Sequence, residues 1–347
     1  MNPITDEKPT LADVALATGV SVATVSKVVN GREDVSAKTR TKVLAALRAT
    51  EYRSPGQRRP AGAAAMVEVI FDSLDSNYAS TVLNGILNYA AKIRVEVVLS
   101  TVGSLPPGEQ DLGRMAERII DEARVGMIVV TSAFNESQLI ELRRRRIPVI
   151  VVDPLNPPPA DVISVGATNW SGGRAAADHL LDLGHRRIAY LGGPESSECN
   201  QARLHGYMSA LMSRGIEFDP EIVIHGSFRI EHGIRGLTAL LAQHDQPTAI
   251  FAGNDAIAVG VLKEARRRGI RVPEDLSLVG FDGTALAEDS VPALTSVTQP
   301  LNDMGRMALR TLLRQAKGEQ LDSHRVELAT QLVVRESTSV PASASTR

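Results

Sequence analysis

From Met66 onward the chain is a succession of short runs rich in Val and Ile, each followed by a longer stretch with helical periodicity. Nine runs stand out: VEVIF (67–71), VEVVLS (95–100), GMIVVT (126–131), PVIVVD (148–153), VISVG (162–166), RIAYLGG (187–193), EIVIHG (221–226), TAIFAG (248–253) and LSLVGFD (276–282). Between them lie segments such as ASTVLNGILNYAAKI and GVLKEARRRGI, whose apolar residues recur every three to four positions. Strands this apolar need cover on both faces, so the alternation predicts an α/β fold with parallel sheets sandwiched by helices. The count predicts two such units in succession, with a ligand site in the cleft at the carboxyl ends of the strands. At 347 residues the chain has room for two or three domains.

Those strand ends carry polar side chains suited to a hydroxyl-rich ligand. Asp72, Asp75 and Asn77 follow the first run, Arg203 follows RIAYLGG, Asn254 and Asp255 close TAIFAG, Asp282 closes LSLVGFD and Gln299 ends SVTQ. Carboxylates and amides exchange hydrogen bonds with vicinal hydroxyls, and an Arg fork spans two of them. Tyr78, Trp170 and Phe228 are candidates to cover the apolar face of a sugar ring in a chain only 3% aromatic. The competing reading is local, because Asp and Asn also cap turns and helices.

The first fifty residues follow another pattern. Thr10–Asn30, TLADVALATGVSVATVSKVVN, reads as two short helices around Gly19, which tolerates the left-handed backbone of a helix end. Thr10 and Ser21 are placed to cap them. Val25, Val28 and Val29 point inward, which leaves Val22, Ala23, Ser26 and Lys27 facing out. A third helix is predicted from Ser36 to about Thr50, with Val43, Leu44, Leu47 and Tyr52 closing a small core. Its outward cations Lys38, Arg40, Lys42 and Arg48 suit phosphate or plain solvent. Two short helices about a Gly turn form the helix-turn-helix pattern, whose second helix enters the DNA major groove.

Charge agrees with that division. Residues 1–60 hold ten Lys/Arg and six Asp/Glu, a net +4, so the remainder carries −6 within a total of −2. A basic head on an acidic body suits a chain whose head alone meets phosphate. Residues 53–65, RSPGQRRPAGAAA, are Pro- and Gly-rich and read as a linker, and 338–347 as a disordered tail. Cys199 is the single cysteine, the polar start MNPITDEKPT is unlike a signal peptide, and no apolar run spans a membrane, so a cytoplasmic protein is expected. The seven histidines (179, 185, 205, 225, 232, 244 and 324) show no metal-ligand spacing and read as surface or capping residues. Gly172-Gly173 and Gly192-Gly193 make no nucleotide fingerprint, and no nucleophile–base pair is defensible, so neither catalysis, a metal nor a cofactor is expected.

TLADVALATGVSVATVSKVVNGREDVSAKTRTKVLAAL closely resembles the headpiece of the LacI/GalR family of bacterial transcription regulators. Further along, ARLHGY, FAGNDAIAVG and VGFDGT resemble the family's R-x-x-G, Asn-Asp and G-[FY]-D-[DN] segments. The resemblance covers about residues 10–335 and implies a headpiece (1–52), a hinge (53–65) and a two-lobed periplasmic-binding-protein-like body (66–337). The chain would cross between lobes near 166, 299 and 325, with lobe 1 at 66–166 and 300–324 and lobe 2 at 167–298 and 325–337. It implies a homodimer on a pseudo-palindromic operator, with Thr10, Ser21, Val22, Ala23, Thr24, Ser26, Lys27, Asn30, Gln57 and Arg58 toward DNA. Val22, Ala23 and Lys27 are the expected base readers. Arg58-Arg59-Pro60-Ala61 replaces the family's Ala-Arg-x-Leu hinge run, so no leucine wedge is available. Asp75, Tyr78, Trp170, Arg203, Phe228, Asn254, Asp282 and Gln299 are the expected effector contacts, while Asp255 is expected to cap the following helix. The resemblance favours a sugar that releases the operator, and leaves open a corepressor mode responding to a nucleoside or other small molecule.

Overall fold

The structure is a computed structural model, and it describes residues 10–29, 32, 34–50, 64–102, 112–131, 140, 142 and 144–342. The head comprises α1 (Leu11–Thr18), α2 (Val22–Val29) and α3 (Ala37–Ala49). Gly19 ends α1 at φ 66°, donating its N–H to the Ala15 carbonyl at 2.8 Å. A side chain there would meet nothing within 4 Å, so backbone conformation alone asks for glycine. The α1 and α2 axes turn through 109°, within the range of helix-turn-helix pairs. Val14, Ala15, Val25, Val28, Val43 and Leu47 form a small closed core. Tyr52, also expected there, lies outside the described residues, as do positions 53–63 of the linker expected at 53–65; its last residue, Ala65, already opens β1.

The body holds two six-stranded sheets. The first has β1 (Ala65–Phe71), β2 (Val95–Thr101), β3 (Met127–Val130), β4 (Val149–Val152), β5 (Ile163–Ala167) and β11 (Arg325–Leu328), in the order β11-β5-β4-β3-β1-β2. All its pairings are parallel, with Val69 opposite Ile128 and Ile128 opposite Ile150. The second has β6 (Ile188–Gly192), β7 (Val223–His225), β8 (Ala249–Ala252), β9 (Ser277–Asp282), β10 (Thr295–Thr298) and β12 (Gln331–Val333), in the order β12-β10-β9-β8-β6-β7. It is parallel except for β12, which runs antiparallel to β10.

Helices cover these faces. On the first lobe lie α4 (Asn77–Ile93), α5 (Leu112–Asp121) and α11 (Leu301–Ala316). On the second lie α6 (Asn169–Asp182), α7 (Glu198–Ser213), α8 (Ile230–Leu241), α9 (Asp255–Arg268) and the short α10 (Ala285–Asp289). The α11 stripe of Met304, Leu309 and Leu312 is fully buried against the first sheet, so it is core. Gly173 lets α6 and α7 pack at backbone contact, since a Cβ there would lie 2.2 Å from the Arg203 carbonyl oxygen. The close approach therefore fixes the helix that carries Arg203.

The chain crosses between lobes at Thr168, at Gln299–Pro300 and at 329–330. The third crossing is four to five residues later than the expected 325. Residues 325–328 pair with β5 of the first lobe, and only from Gln331 does the chain join the second. The tail also differs from expectation. Ser339 exchanges hydrogen bonds with Ser277 at 3.0 Å, and its carbonyl accepts from His185 at 2.9 Å. Residues 338–340 are thus tied into the second lobe. His185 and His232 are buried rather than superficial, and burial holds both imidazoles below their ordinary pKa. Among the described residues no single helix is long and apolar enough to cross a membrane.

Candidate functional site

In the head, Thr10 forms a capping box: the Asp13 N–H donates to Thr10 Oγ1 at 3.3 Å while Thr10 N–H donates to Asp13 Oδ2 at 2.7 Å. Ser21 receives the Thr24 N–H at 3.1 Å, and the two hydroxyls lie 2.8 Å apart. Both caps fix the N-terminus of a helix, which leaves two small apolar residues presented at the start of α2. Val22 is 46% exposed, Ala23 and Lys27 are exposed, and Ser26 is half-buried. Lys27 Nζ is not free: it pairs with Asp34 Oδ2 at 2.5 Å on the open surface. Of the other residues expected at DNA, Asn30, Gln57 and Arg58 lie outside the described residues.

The second cluster forms where the lobes meet. Arg203, on α7, is buried at 3% exposure. Its Nε donates to Asn169 Oδ1 at 2.8 Å and its Nη1 to the Gly253 carbonyl at 2.6 Å. The same Nη1 is 3.5 Å from Asp282 Oδ1. The guanidinium stacks on Phe281 at 3.8 Å and lies 5.9 Å from the Phe228 ring centre. Gln299, at the middle crossing, donates Nε2 to Asp282 Oδ1 at 2.8 Å, and its own Oε1 is buried with no hydrogen-bond partner among the described residues. Asn254 caps α9 by accepting the Ile257 N–H at 2.9 Å, and its Nδ2 donates to the Phe228 carbonyl at 3.3 Å. Arg203, Phe228, Asn254, Asp282 and Gln299 therefore converge from five separate segments.

Other expectations divide. Tyr78 joins the cluster from the first lobe by donating its hydroxyl to Asp153 Oδ2 at 2.6 Å. Asp75 does not, being exposed, with its backbone N–H on Ser73 Oγ at 3.1 Å. Trp170 is 44% exposed, 5.8 Å from the Arg174 guanidinium. Asp255 is not the cap of α9. Its carboxylate is buried and accepts from Thr284 N–H at 2.7 Å, Thr284 Oγ1 at 2.9 Å and Ser296 Oγ at 2.6 Å. It braces the loop after β9, one residue behind the cap.

Asp153 and Asn169 were not singled out from the sequence. Asp153 ends PVIVVD just as Asp282 ends LSLVGFD, so the same rule could have found it. Asn169 gave no signal, because its role depends on meeting Arg203 from another helix.

Thr131, Asp153 and Asp282, each just at the end of a strand, have φ of 50°, 41° and 100°. Left-handed backbone at non-glycine residues costs about 1–3 kcal/mol each and gathers at functional sites. Burial pushes the Asp282 carboxyl up to about 7 although Arg203 opposes it, and pushes Asp255 up to about 6. Both are raised from 3.8, so the folded state keeps protons that the unfolded chain has lost. The stability these two carboxyls give is full below about pH 4 and disappears as pH rises through about 7. We expect thermal denaturation to show a lead for the protein at pH 5.5 over pH 8 that shrinks in the Asp255→Asn/Asp282→Asn double variant. Parallel profiles for the two proteins would overturn this.

A family model described as "Bacterial regulatory proteins, lacI family" matches residues 10–54, and one described as "Periplasmic binding protein-like domain" matches residues 177–338. The chain is 32% identical over 336 residues to catabolite control protein A of Priestia megaterium, covering 95% of this chain and 99% of the relative. Among solved structures it is similar to the complex of the transcriptional regulator CelR with cellobiose, at TM-score 0.71 and 31% identity, over 95% of this chain and 99% of the other. It is likewise similar to the Lac repressor dimer bound to operator and the anti-inducer ONPF, at TM-score 0.71 and 28% identity, over 96% and 100%. A helix-turn-helix head, two parallel-sheet lobes and a likeness along nearly the whole length converge on one conclusion: the chain belongs to the LacI family of bacterial DNA-binding transcription regulators, which are not enzymes.

Proposed function

We propose that the chain is a cytoplasmic repressor that binds operator DNA as a homodimer and is released when a neutral sugar enters the inter-lobe cleft. The observation that carries the sugar is the buried Arg203–Asp282–Gln299 cluster with one acceptor, Gln299 Oε1, left without a partner. Buried polar atoms in native proteins are satisfied, so an unpaired carbonyl at a cleft calls for a donor, and a hydroxyl supplies it. Arg203 and Asp282 offer further donors and acceptors, Asn254 stands beside them, and Phe228 offers a ring face. Tyr78 and Asp153 close the same space from the first lobe. Trp170 stands at its edge, beside Asn169.

The Lac repressor relative is bound to operator as a dimer, and the CelR relative carries cellobiose; by likeness the same division of labour falls to the head and the body here. Val22 and Ala23 suit contact with thymine methyls and Lys27 suits guanine, while Thr10, Ser21, Thr24 and Ser26 lie toward phosphate. Asn30, Gln57 and Arg58 complete that set. The domain limits are those of a head (1–52), a hinge (53–65) and a two-lobed body from 66. A ligand held by both lobes favours one lobe arrangement, and so shifts the heads between DNA-competent and released states.

Fluorescence anisotropy on pseudo-palindromic DNA from the gene's own upstream region tests this at fixed salt. Specific binding in the range of roughly 10⁻⁸–10⁻¹¹ M, reversed by a neutral sugar, is the expected result. A ligand that tightens the complex would reverse the sign, and absence of specific DNA binding would sink the repressor reading.

A further inference from the structure

Beside the Arg203 cluster lies a cavity of about 250 Å³, of whose wall the sequence singled out only Trp170. Asp153, Asn169, Trp170, Glu198, Arg325 and Glu327 line it. It adjoins the cleft through two shared residues, because Asn169 also accepts from Arg203 and Asp153 also accepts from Tyr78. Its volume is below the roughly 300–1,000 Å³ that holds a whole drug-sized ligand, so it fits one ring-sized unit.

The chemistry of its wall narrows what that unit is. Trp170 is the only tryptophan in the chain; it lines this cavity and is 44% exposed overall, although most large apolar side chains of the body are buried. Across the space, Arg325 Nη2 bonds Glu198 Oε1 at 2.7 Å and Arg325 Nε bonds Glu327 Oε1 at 3.1 Å. The Arg325–Glu198 bridge ties β11 of the first lobe to α7 of the second, while the Arg325–Glu327 bridge stays within β11. Three carboxylates against one guanidinium give the wall a net negative balance, which disfavours a phosphate or a uronate. Glu198 also occupies the first turn of α7, where an anion would otherwise be welcome. An aromatic face next to fixed carboxylates and a guanidinium suits the apolar face and the hydroxyl edge of a neutral pyranose.

We propose that this cavity is a second sugar subsite, so that the effector is a neutral disaccharide or longer glycan rather than a monosaccharide. One ring sits at Arg203, Asp282 and Gln299, and the next stacks on Trp170 beside Glu198 and Arg325. This rests on the sugar reading above and names the class of sugar. A ring bridging Glu198 and Arg325 would also engage both lobes at the crossing, which couples its binding to lobe arrangement.

The test uses the full-length protein and the intrinsic emission of Trp170, which reports the cavity without a label. Glucose, galactose and xylose are titrated alongside their α- and β-linked dimers and trimers, with glucose 6-phosphate and glucuronate as anionic probes. We expect at least one neutral dimer to shift the emission and to bind tenfold or more tightly than its own monomer. Trp170→Ala, at an exposed position, should bring dimer and monomer within about twofold of each other in calorimetry. A monomer that binds as tightly as every dimer overturns the subsite and leaves the sugar reading standing. So does a dimer whose advantage survives Trp170→Ala. Binding of only the anionic probes, or of no sugar at all, overturns both readings.

Discussion

Arg203→Ala should leave operator binding in place and abolish its reversal by the sugar that releases the unaltered protein. It should also cost the body about 3–5 kcal/mol at pH 8, the usual price of leaving one member of a buried ion pair alone. Arg203 is 3% exposed and bonds Asn169, the Gly253 carbonyl and Asp282 while lying on Phe281. Truncation therefore removes the cleft's main donor and strands the Asp282 carboxylate. The carboxyl of Asp282 already sits near 7, so lowering the pH lets it take a proton instead of staying buried and charged. The deficit in chemical denaturation should accordingly narrow toward pH 5.5. Arg203→Lys separates the two effects: it keeps the charge beside Asp282 but loses the fork that spans two acceptors. It should recover most of the stability and little of the sugar response. Release of Arg203→Ala from operator at the unaltered sugar concentration would show that the ligand binds elsewhere.

The contrast between Arg203 and Asn169 shows what could be read from the chain alone. The nine apolar runs all form strands; seven are largely buried, and burial on both faces forces the continuous apolar stretch that local sequence displays, while β2 and β7 lie at sheet edges and are only part-buried. Three other strands, Thr295–Thr298, Arg325–Leu328 and Gln331–Val333, are only three or four residues long and mix polar with apolar residues, so no apolar run marks them. Their pairing comes from elsewhere in the chain: β11 joins β5 some 160 residues earlier. That same long-range pairing moved the third lobe crossing from 325 to 329–330. At the site, Asp282 and Gln299 were legible from their position at strand ends, and Arg203 from the ARLHGY segment that follows RIAYLGG. Asn169 and the Gly253 carbonyl, which hold Arg203, were not, because they reach it only through tertiary packing. Local cap rules also failed to choose between neighbours: Asn254 caps α9 and Asp255 braces the β9 loop. In the head the outward face of α2 was legible, but the Lys27–Asp34 pair that engages its cation was not.

A second large effect is expected in the head. Val25→Asp should remove operator binding, by a hundredfold or more, without disturbing the sugar response of the body. Val25 is fully buried, in a core whose other buried members among the described residues are Val14, Ala15, Val28, Val43 and Leu47. A unit this small keeps at most a few kcal/mol in hand. An unpaired carboxylate at its centre costs more than that, so α1 and α2 lose the 109° arrangement that presents Val22 and Ala23. The four core clusters of the body share no residue with this one. Its unfolding temperature and the Trp170 emission change on sugar binding should therefore match those of the unaltered protein. Val22→Ala provides the comparison, since Val22 is 46% exposed and outside that core. It should leave the head folded by circular dichroism and weaken operator binding by no more than about tenfold, the scale of one lost base contact. Undiminished operator binding by Val25→Asp would place DNA recognition outside the helix-turn-helix. A body destabilised by the same change would mean that the head is part of the body's cooperative unit, so that the sugar acts on one folded block instead of on two joined ones.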